Sequence, residues 1–559
     1  MPRSPRRHIP RFAIRDPKSR SWGDQMAVIS MSGWHAHGSG GAVAAGHQSA
    51  VDAGMRVLQE GGNAADAAVA TILALSVTDF GDFAFGGEVP LMHYSARTGK
   101  VSVLCGLGRS PLDDGATDWY LANGIPRGGD MKAAAVPGAP DLCATALQLY
   151  GTMSFAQVAG PTLELLDKGT EEWQKKLAFT MRRMIGAERK TAGTRQEKLL
   201  AASNRFYKGD IASELEAYYR AKGGFLRRGD LESHGTRIEE PVTIEYRGYT
   251  ICKCGPWTQG PMLLQALRLL EHTDLKADGH CSADSIHRVA EALKLAMADR
   301  DTYYGDPLFV DVPLQQLLSS EYTALREALI DMQAACNHAR PGDVRNMKPL
   351  LDGGLFRPGP GGTTTCLVAD RWGDVVAATP SCNDVWGDKG VDSATGVAHG
   401  SRLTSLNTTK GHPNCIESGK RPRITLTPTL VLREGKPVYA VSVAGGDLQD
   451  QTTLNVLLNA IDFGMPPDKA VTAPRFATLC HEDSFNPASD RQAAMGDGHL
   501  SINASVDSSC TDALAARGHR VVPTDKPIGH PVMLYIEPET GVVHAAGDPN
   551  AGRHAAAID

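Results

Sequence analysis

No window of the chain reaches the roughly 18 apolar residues of a membrane-spanning helix, so no membrane partner is expected. Positive charge is also in short supply. The sequence has 57 Lys and Arg against 63 Asp and Glu, a net charge of −6. A nucleic-acid partner needs a basic surplus or patch, and none is expected. There is no GxxxxGK[ST] phosphate loop, no GxSxG elbow and no HExxH pair, which removes the usual signatures of nucleotide, α/β-hydrolase and zinc-peptidase chemistry. The glycine-rich "HGSGGAVAAG" at 37–46 fails the GxGxxG spacing. No cofactor and no metal are expected. The eleven cysteines form no CxxC pair, and the closest two, Cys252 and Cys254, alternate within "YTICKCGP" as strand residues do. They read as structural thiols of a reducing compartment. The N-terminal "MPRSPRRHIPRFAIRDPKSRSWGDQ" is basic and proline-rich and lacks the apolar core of a secretory signal. It is expected to be part of a disordered arm, residues 1–40, on a cytoplasmic protein.

What remains is the patterning of a layered α/β protein. At 559 residues the chain is long for one compact core. "GHQSAVDAGMRVLQEGGNAADAAVATILALSV" predicts two helices. Val51, Met55 and Leu58 share a face of the first, and Gly61-Gly62 stops it. The second starts near Ala64 and is apolar nearly all round, so it should be buried. "FGGEVPLMHYS" and "GKVSVLCGLG" predict strands joined by a turn, and residues 170–210 a solvated helical layer. The helix "DSIHRVAEALKLAMADRD" carries His287 and Glu291 four apart, which reads as a surface helix pair. Beyond residue 363 the chain turns strand-rich. Strands on one side and helices on the other give layered α/β architecture.

The stretch "GPGGTTTCLVADRWGDVVAATPS" (359–381) carries the chemistry. "TTTCLVAD" and "DVVAATPS" are β-type runs around Arg371-Trp372-Gly373, which predicts an antiparallel hairpin. With the turn centred on Trp372, Thr363 lies opposite Ser381, and Asn383 sits just past the strand end. A threonine that starts a strand after a Gly/Pro-rich linker becomes a nucleophile if the linker is cut before it. Its new α-amino group then serves as general base. A Thr-rich strand behind a glycine turn needs no such chemistry, and both readings stand on these residues alone.

Seven segments in order resemble the γ-glutamyltransferase family of N-terminal-nucleophile hydrolases. They are "GGNAADAAVA", "FGGEVPLMHY", "AVPG", the threonine hairpin, "HPN…GKRP", "AGGDLQDQ" and "GDPNAGRHAAA", spread over roughly residues 41 to 557. The resemblance implies an αββα sandwich and a proenzyme that cuts itself between Gly362 and Thr363. The products would be a large subunit, 41–362 beyond the arm, and a small subunit, 363–559, which stay associated; an oligomer is compatible with this. It further implies that Thr363 forms an acyl-enzyme with a small-molecule amide or acyl substrate. Ser381 and Asn383 would support it, and the backbone N–H groups of Gly445 and Gly446 would line an oxyanion hole.

The departures bear on substrate. Glutamyl-specific members hold the substrate α-carboxylate with an arginine four residues before a proline. Here "CGLGRSP" puts Leu107 at that place and Arg109 two residues later. After "RP", where those members have two serines, the chain reads Ile424 and Thr425. The segment "GVAHGSRLTSLNTTKGHPN" is similar to the acylase-like branch, with an arginine matching Arg402. Expected substrate contacts are therefore Arg109, Arg402, Thr425 and Asp447. The leading expectation is an autoprocessed amidohydrolase or acylase. Three alternatives are a true γ-glutamyl transpeptidase, a hydrolase of C–C bonds in antibiotic biosynthesis, and an uncleaved non-catalytic scaffold.

Overall fold

The computed structural model describes residues 29–30, 33–127, 129–351, 363–382, 392–485 and 498–559. Two large sheets lie at its centre. The first has eight strands, in the order Ile29–Ser30, His554–Ile558, Gly41–Ala45, Cys366–Asp370, Val375–Ala378, Val89–Ser95, Lys100–Gly106 and Arg237–Glu239. The second has seven: His35–Gly38, Val543–Gly547, His530–Ile536, Lys436–Ala444, Thr429–Arg433, Tyr249–Lys253 and Val242–Tyr246. Every pairing in both is antiparallel.

Side-chain alternation sorts the central strands into three apolar cores. Leu367, Ala369, Val375 and Ala377 pack between the sheets with Leu430, Ala440 and Leu534. Their neighbours Cys366, Val368, Val376 and Ala378 face the other way, into a helical layer. That layer includes Gln48–Gln59 and Ala64–Thr78, the second buried over most of its length as its composition requires. Asn63 and Asp66 close a reciprocal capping box at its start. The second sheet buries Val431, Val441 and Met533 against Gly260–Leu269, Ala283–Tyr303 and Leu448–Ile461. The layer order is thus helix, sheet, sheet, helix.

All eleven cysteines are free thiols. No helix among the described residues is long and apolar enough to cross a membrane. The expected arm over 1–40 is shortened from its C-terminal end. Ile29–Ser30 and His35–Gly38 are edge strands, the latter held by the ladder to Val543–Gly547. The "HAHG" sequence has little β character of its own, and the waiting sheet edge orders it.

Candidate active site

The threonine hairpin adopts the register centred on Trp372. Ala378 pairs with Cys366 and Val375 with Ala369. Gly373, at φ +90°, makes the turn, and Asp370 accepts the Trp372 and Asp374 N–H groups across it. At the open end Thr364 N–H donates to the Pro380 carbonyl at 2.9 Å. Thr363 and Ser381 therefore point into the space between the sheets, with their Oγ atoms 3.5 Å apart and both side chains buried.

Three further elements converge there. The Gly445-Gly446 turn ends the Lys436–Ala444 strand with φ values of 137° and 61° and opens the helix Leu448–Ile461. A β-carbon at Gly446 would sit 2.7 Å from the Phe485 ring in a left-handed backbone, which favours glycine there. Gln449, in the first turn of that helix, lies 3.3 Å from Thr363 Oγ1. With its amide nitrogen toward the Val443 and Thr425 carbonyls, both at 3.1 Å, its oxygen accepts the threonine proton. Thr425 thus borders the cluster through its backbone.

Arg402 reaches Ser381 from the other side. Its Nη2 donates to Ser381 Oγ at 2.9 Å and its Nε to Glu88 Oε1 at 2.6 Å, all three residues being buried. Glu88 is tied to Ser381 a second time, through paired backbone hydrogen bonds of 2.8 and 3.0 Å. Gly86 and Gly87 permit this approach, since β-carbons there would lie 2.3 Å from the Ala398 and Ser381 carbonyl oxygens. Burial pushes the Glu88 carboxyl up, and Arg402 draws it back.

On the opposite face Thr364 Oγ1 donates to Asp79 at 2.5 Å, with Arg553 close behind. A β-carbon on Gly46 would lie 2.1 Å from Thr364 Oγ1 and 2.2 Å from Asp79 Oδ2. Gly46 is the residue that lets this pair form.

Asp447 and Arg109 are directed elsewhere. Asp447 accepts from Arg300 at 2.6 Å and from Ser484 N–H at 3.0 Å. Burial would raise its pKa, but Arg300, His481 and Arg423 prevail and hold it at about 2. Arg109 donates to Ser233 at 2.6 Å, and Leu107 is fully buried between the sheets. Asn383 and Gly362 lie outside the described residues.

His287 and Glu291 are not a surface pair. Both are buried, because the helix Ala283–Tyr303 is buried along most of its length, and His519 Nε2 lies 2.8 Å from His287 Nδ1. Ligand atoms of the three lie within 4.8 Å of one another. Glu291 is already held by Lys294 and Arg340, each at 2.7 Å, and these two cations oppose a third. Sequence reasoning gave no role to Glu88 or Gln449. The one signal for Glu88 is an acid set directly between a glycine pair and an apolar strand.

Two face-to-face antiparallel sheets between helical layers, with a buried threonine at the head of a central strand, are the architecture of the N-terminal-nucleophile hydrolases. A family model described as gamma-glutamyltranspeptidase matches residues 50–202 and 173–558. The glutathione hydrolase proenzyme of Bacillus subtilis (strain 168) is 31% identical over 93% of this chain and 92% of its own. The acylase ACY 1 proenzyme of Pseudomonas sp. (strain V22) is 30% identical over 91% and 92%. Among solved structures, LmbA2991HD superposes with a TM-score of 0.84 at 32% identity, covering 95% of this chain and all of the other. The chain belongs to the gamma-glutamyltranspeptidase family and is an enzyme of it, as its relatives are named hydrolase proenzymes.

Proposed function

We propose that this protein is an autoprocessed threonine hydrolase of the acylase type, cleaving an amide or acyl bond of a small molecule through an ester on Thr363. In the precursor, Thr363 Oγ attacks the Gly362 carbonyl, the C–N bond breaks as the acyl group moves to oxygen and frees the α-amine, and water then hydrolyses the ester to the linker carboxylate and the Thr363 hydroxyl. In turnover that amine takes the Thr363 Oγ proton as the oxygen attacks the substrate carbonyl. The Gly445 and Gly446 N–H groups are the proposed oxyanion donors, each of a kind worth about 3–4 kcal/mol to the transition state. The protonated amine returns its proton to the leaving group, and water then resolves the ester.

The observation that carries the acylase reading is how the expected receptors are engaged. A γ-glutamyl group brings an α-carboxylate and an α-ammonium. Of the charged groups among the four expected contacts, Arg402 is neutralised by Glu88, Asp447 is neutralised by Arg300, and Arg109 is turned toward Ser233. Using Arg402 would leave Glu88 buried and uncompensated, at roughly 3–5 kcal/mol, and using Asp447 would break its buried pair with Arg300. The likeness to glutathione hydrolase proenzymes favours γ-glutamyl transfer as a second reading.

Thr363→Ala tests the chemistry. The wild type should resolve into two fragments, the smaller beginning Thr-Thr-Thr-Cys, while the variant stays at 59.5 kDa. Cleavage at an unchanged rate in the variant would overturn the assignment. Incubating the mature protein with N-acyl amides and with γ-glutamyl p-nitroanilide, read by intact mass and by colour, separates the two substrate readings.

A further inference from the structure

The Glu88–Arg402 pair is buried, lies outside the residues that exchange protons in the proposed reaction, and its side chains reach Ser381 through Arg402 Nη2. We infer that Glu88 is a positioning residue, which holds Arg402 so that the Ser381 hydroxyl is fixed against Thr363 and no net charge accumulates beside the nucleophile. This rests on Thr363 as nucleophile and deepens that reading.

The chain of contacts is short. Glu88 Oε1 accepts from Arg402 Nε at 2.6 Å and from Nη2 at 2.5 Å, a two-point grip that fixes the guanidinium plane. Nη2 is then aimed at Ser381 Oγ, 2.9 Å away. A guanidinium only donates, so the Ser381 oxygen accepts there and is pinned in place. Thr363 Oγ1 lies 3.5 Å from that same oxygen, so the place of the Ser381 hydroxyl sets the direction in which the nucleophile faces during attack. The backbone bonds between Glu88 and Ser381 keep the loop and the hairpin in register while this happens. Arg402 also lies against the Phe485 ring, 5.8 Å from its centre, which limits its freedom to swing away.

Charge is the second part of the device. On the Ser381 side, the charged groups about Thr363 among the described residues are Glu88 and Arg402. On the Thr364 side they are Asp79 and Arg553, with Asp82, Asp548 and His530 beyond. Behind Gln449, at the head of its helix, stand Asp447, Arg300, Arg423 and His481. Removing the Glu88 charge leaves Arg402 as an uncompensated cation two contacts from the proposed amine. A nearby cation disfavours the ammonium form, so the amine should lose its proton at lower pH.

The test uses mature wild type and Glu88→Gln with p-nitrophenyl acetate, an activated ester that acylates without demanding a particular acyl group. The burst of p-nitrophenolate is followed against pH, and the acetylated peptide is located by mass. Glu88→Gln should slow the burst about tenfold on its plateau and shift the acid limb about half a pH unit or more downward. A simple loss of packing would not move that limb. If Glu88→Gln fails to mature, Glu88→Gln combined with Arg402→Met removes both charges and carries the test, with a slow burst supporting the inference. A plateau and limb equal to wild type in either protein would overturn it. An acetyl group found elsewhere than Thr363 would instead sink the nucleophile assignment, so the two failures are distinguishable.

Discussion

Asp447→Asn tests whether this carboxylate serves the fold or the substrate. The carboxylate is buried and held at about 2 by Arg300, His481 and Arg423, against an ordinary value near 3.9. A carboxyl depressed on folding adds stability that is complete above its unfolded pKa and vanishes as pH falls through the folded one. At 1.36 kcal/mol per pH unit the shift corresponds to about 2.5 kcal/mol. Two neighbours trim this. Arg300 keeps Asp301 at 2.8 Å, so it is not stranded. The Asp483 carboxyl, pushed up to about 6 by burial and by the Asp447 charge, relaxes when that charge goes. The expected loss is about 2 kcal/mol at pH 6–8. In urea unfolding the gap to wild type should hold above pH 5 and close between about pH 4 and pH 2. Unchanged stability, combined with a large rise in KM for an amine-bearing substrate, would refute the reasoning and return Asp447 to the substrate.

Two further substitutions probe the frame of the site. Gly46→Ala drives a β-carbon into the Thr364–Asp79 contact; losing a charge-assisted hydrogen bond of about 1.5–3 kcal/mol there should slow maturation at least about tenfold, and a wild-type gel time course would contradict this. Lys253 is fully buried, with its ammonium 2.8 Å from Asp450 and from Thr429. Lys253→Met should cost about 3–5 kcal/mol at pH 8. Burial already pushes the Asp450 carboxyl up to about 6, so it takes a proton readily and the cost should shrink toward pH 5. A urea midpoint deficit that stays constant or grows on acidification would count against that account.

The hairpin was legible because its information is local: β-type runs, a Trp-Gly turn and a period of two fix both register and facing. The two helices of residues 48–78 were legible for the same reason, and so was the layered class. What stayed hidden was which charge neutralises which. Arg402 meets Glu88 across 314 positions and Arg300 meets Asp447 across 147. An arginine beside a nucleophile therefore reads as an anion receptor until its partner is seen. His287 and Glu291 failed in the same way. Their spacing places them on one face of a helix, but only the packing of that helix shows the face to be interior.

The order of strands in the first sheet has a consequence for a chain cut before Thr363. Gly41–Ala45, from the front piece, is clamped between His554–Ile558 and Cys366–Asp370, both from the back piece. Val89–Ser95 then rejoins the front piece beside Val375–Ala378. The severed pieces are woven and cannot drift apart without tearing ladders at the middle of the sheet. Once denatured they must meet again by diffusion, so recovery of the cut protein should depend on its concentration, whereas the uncut precursor refolds as one molecule.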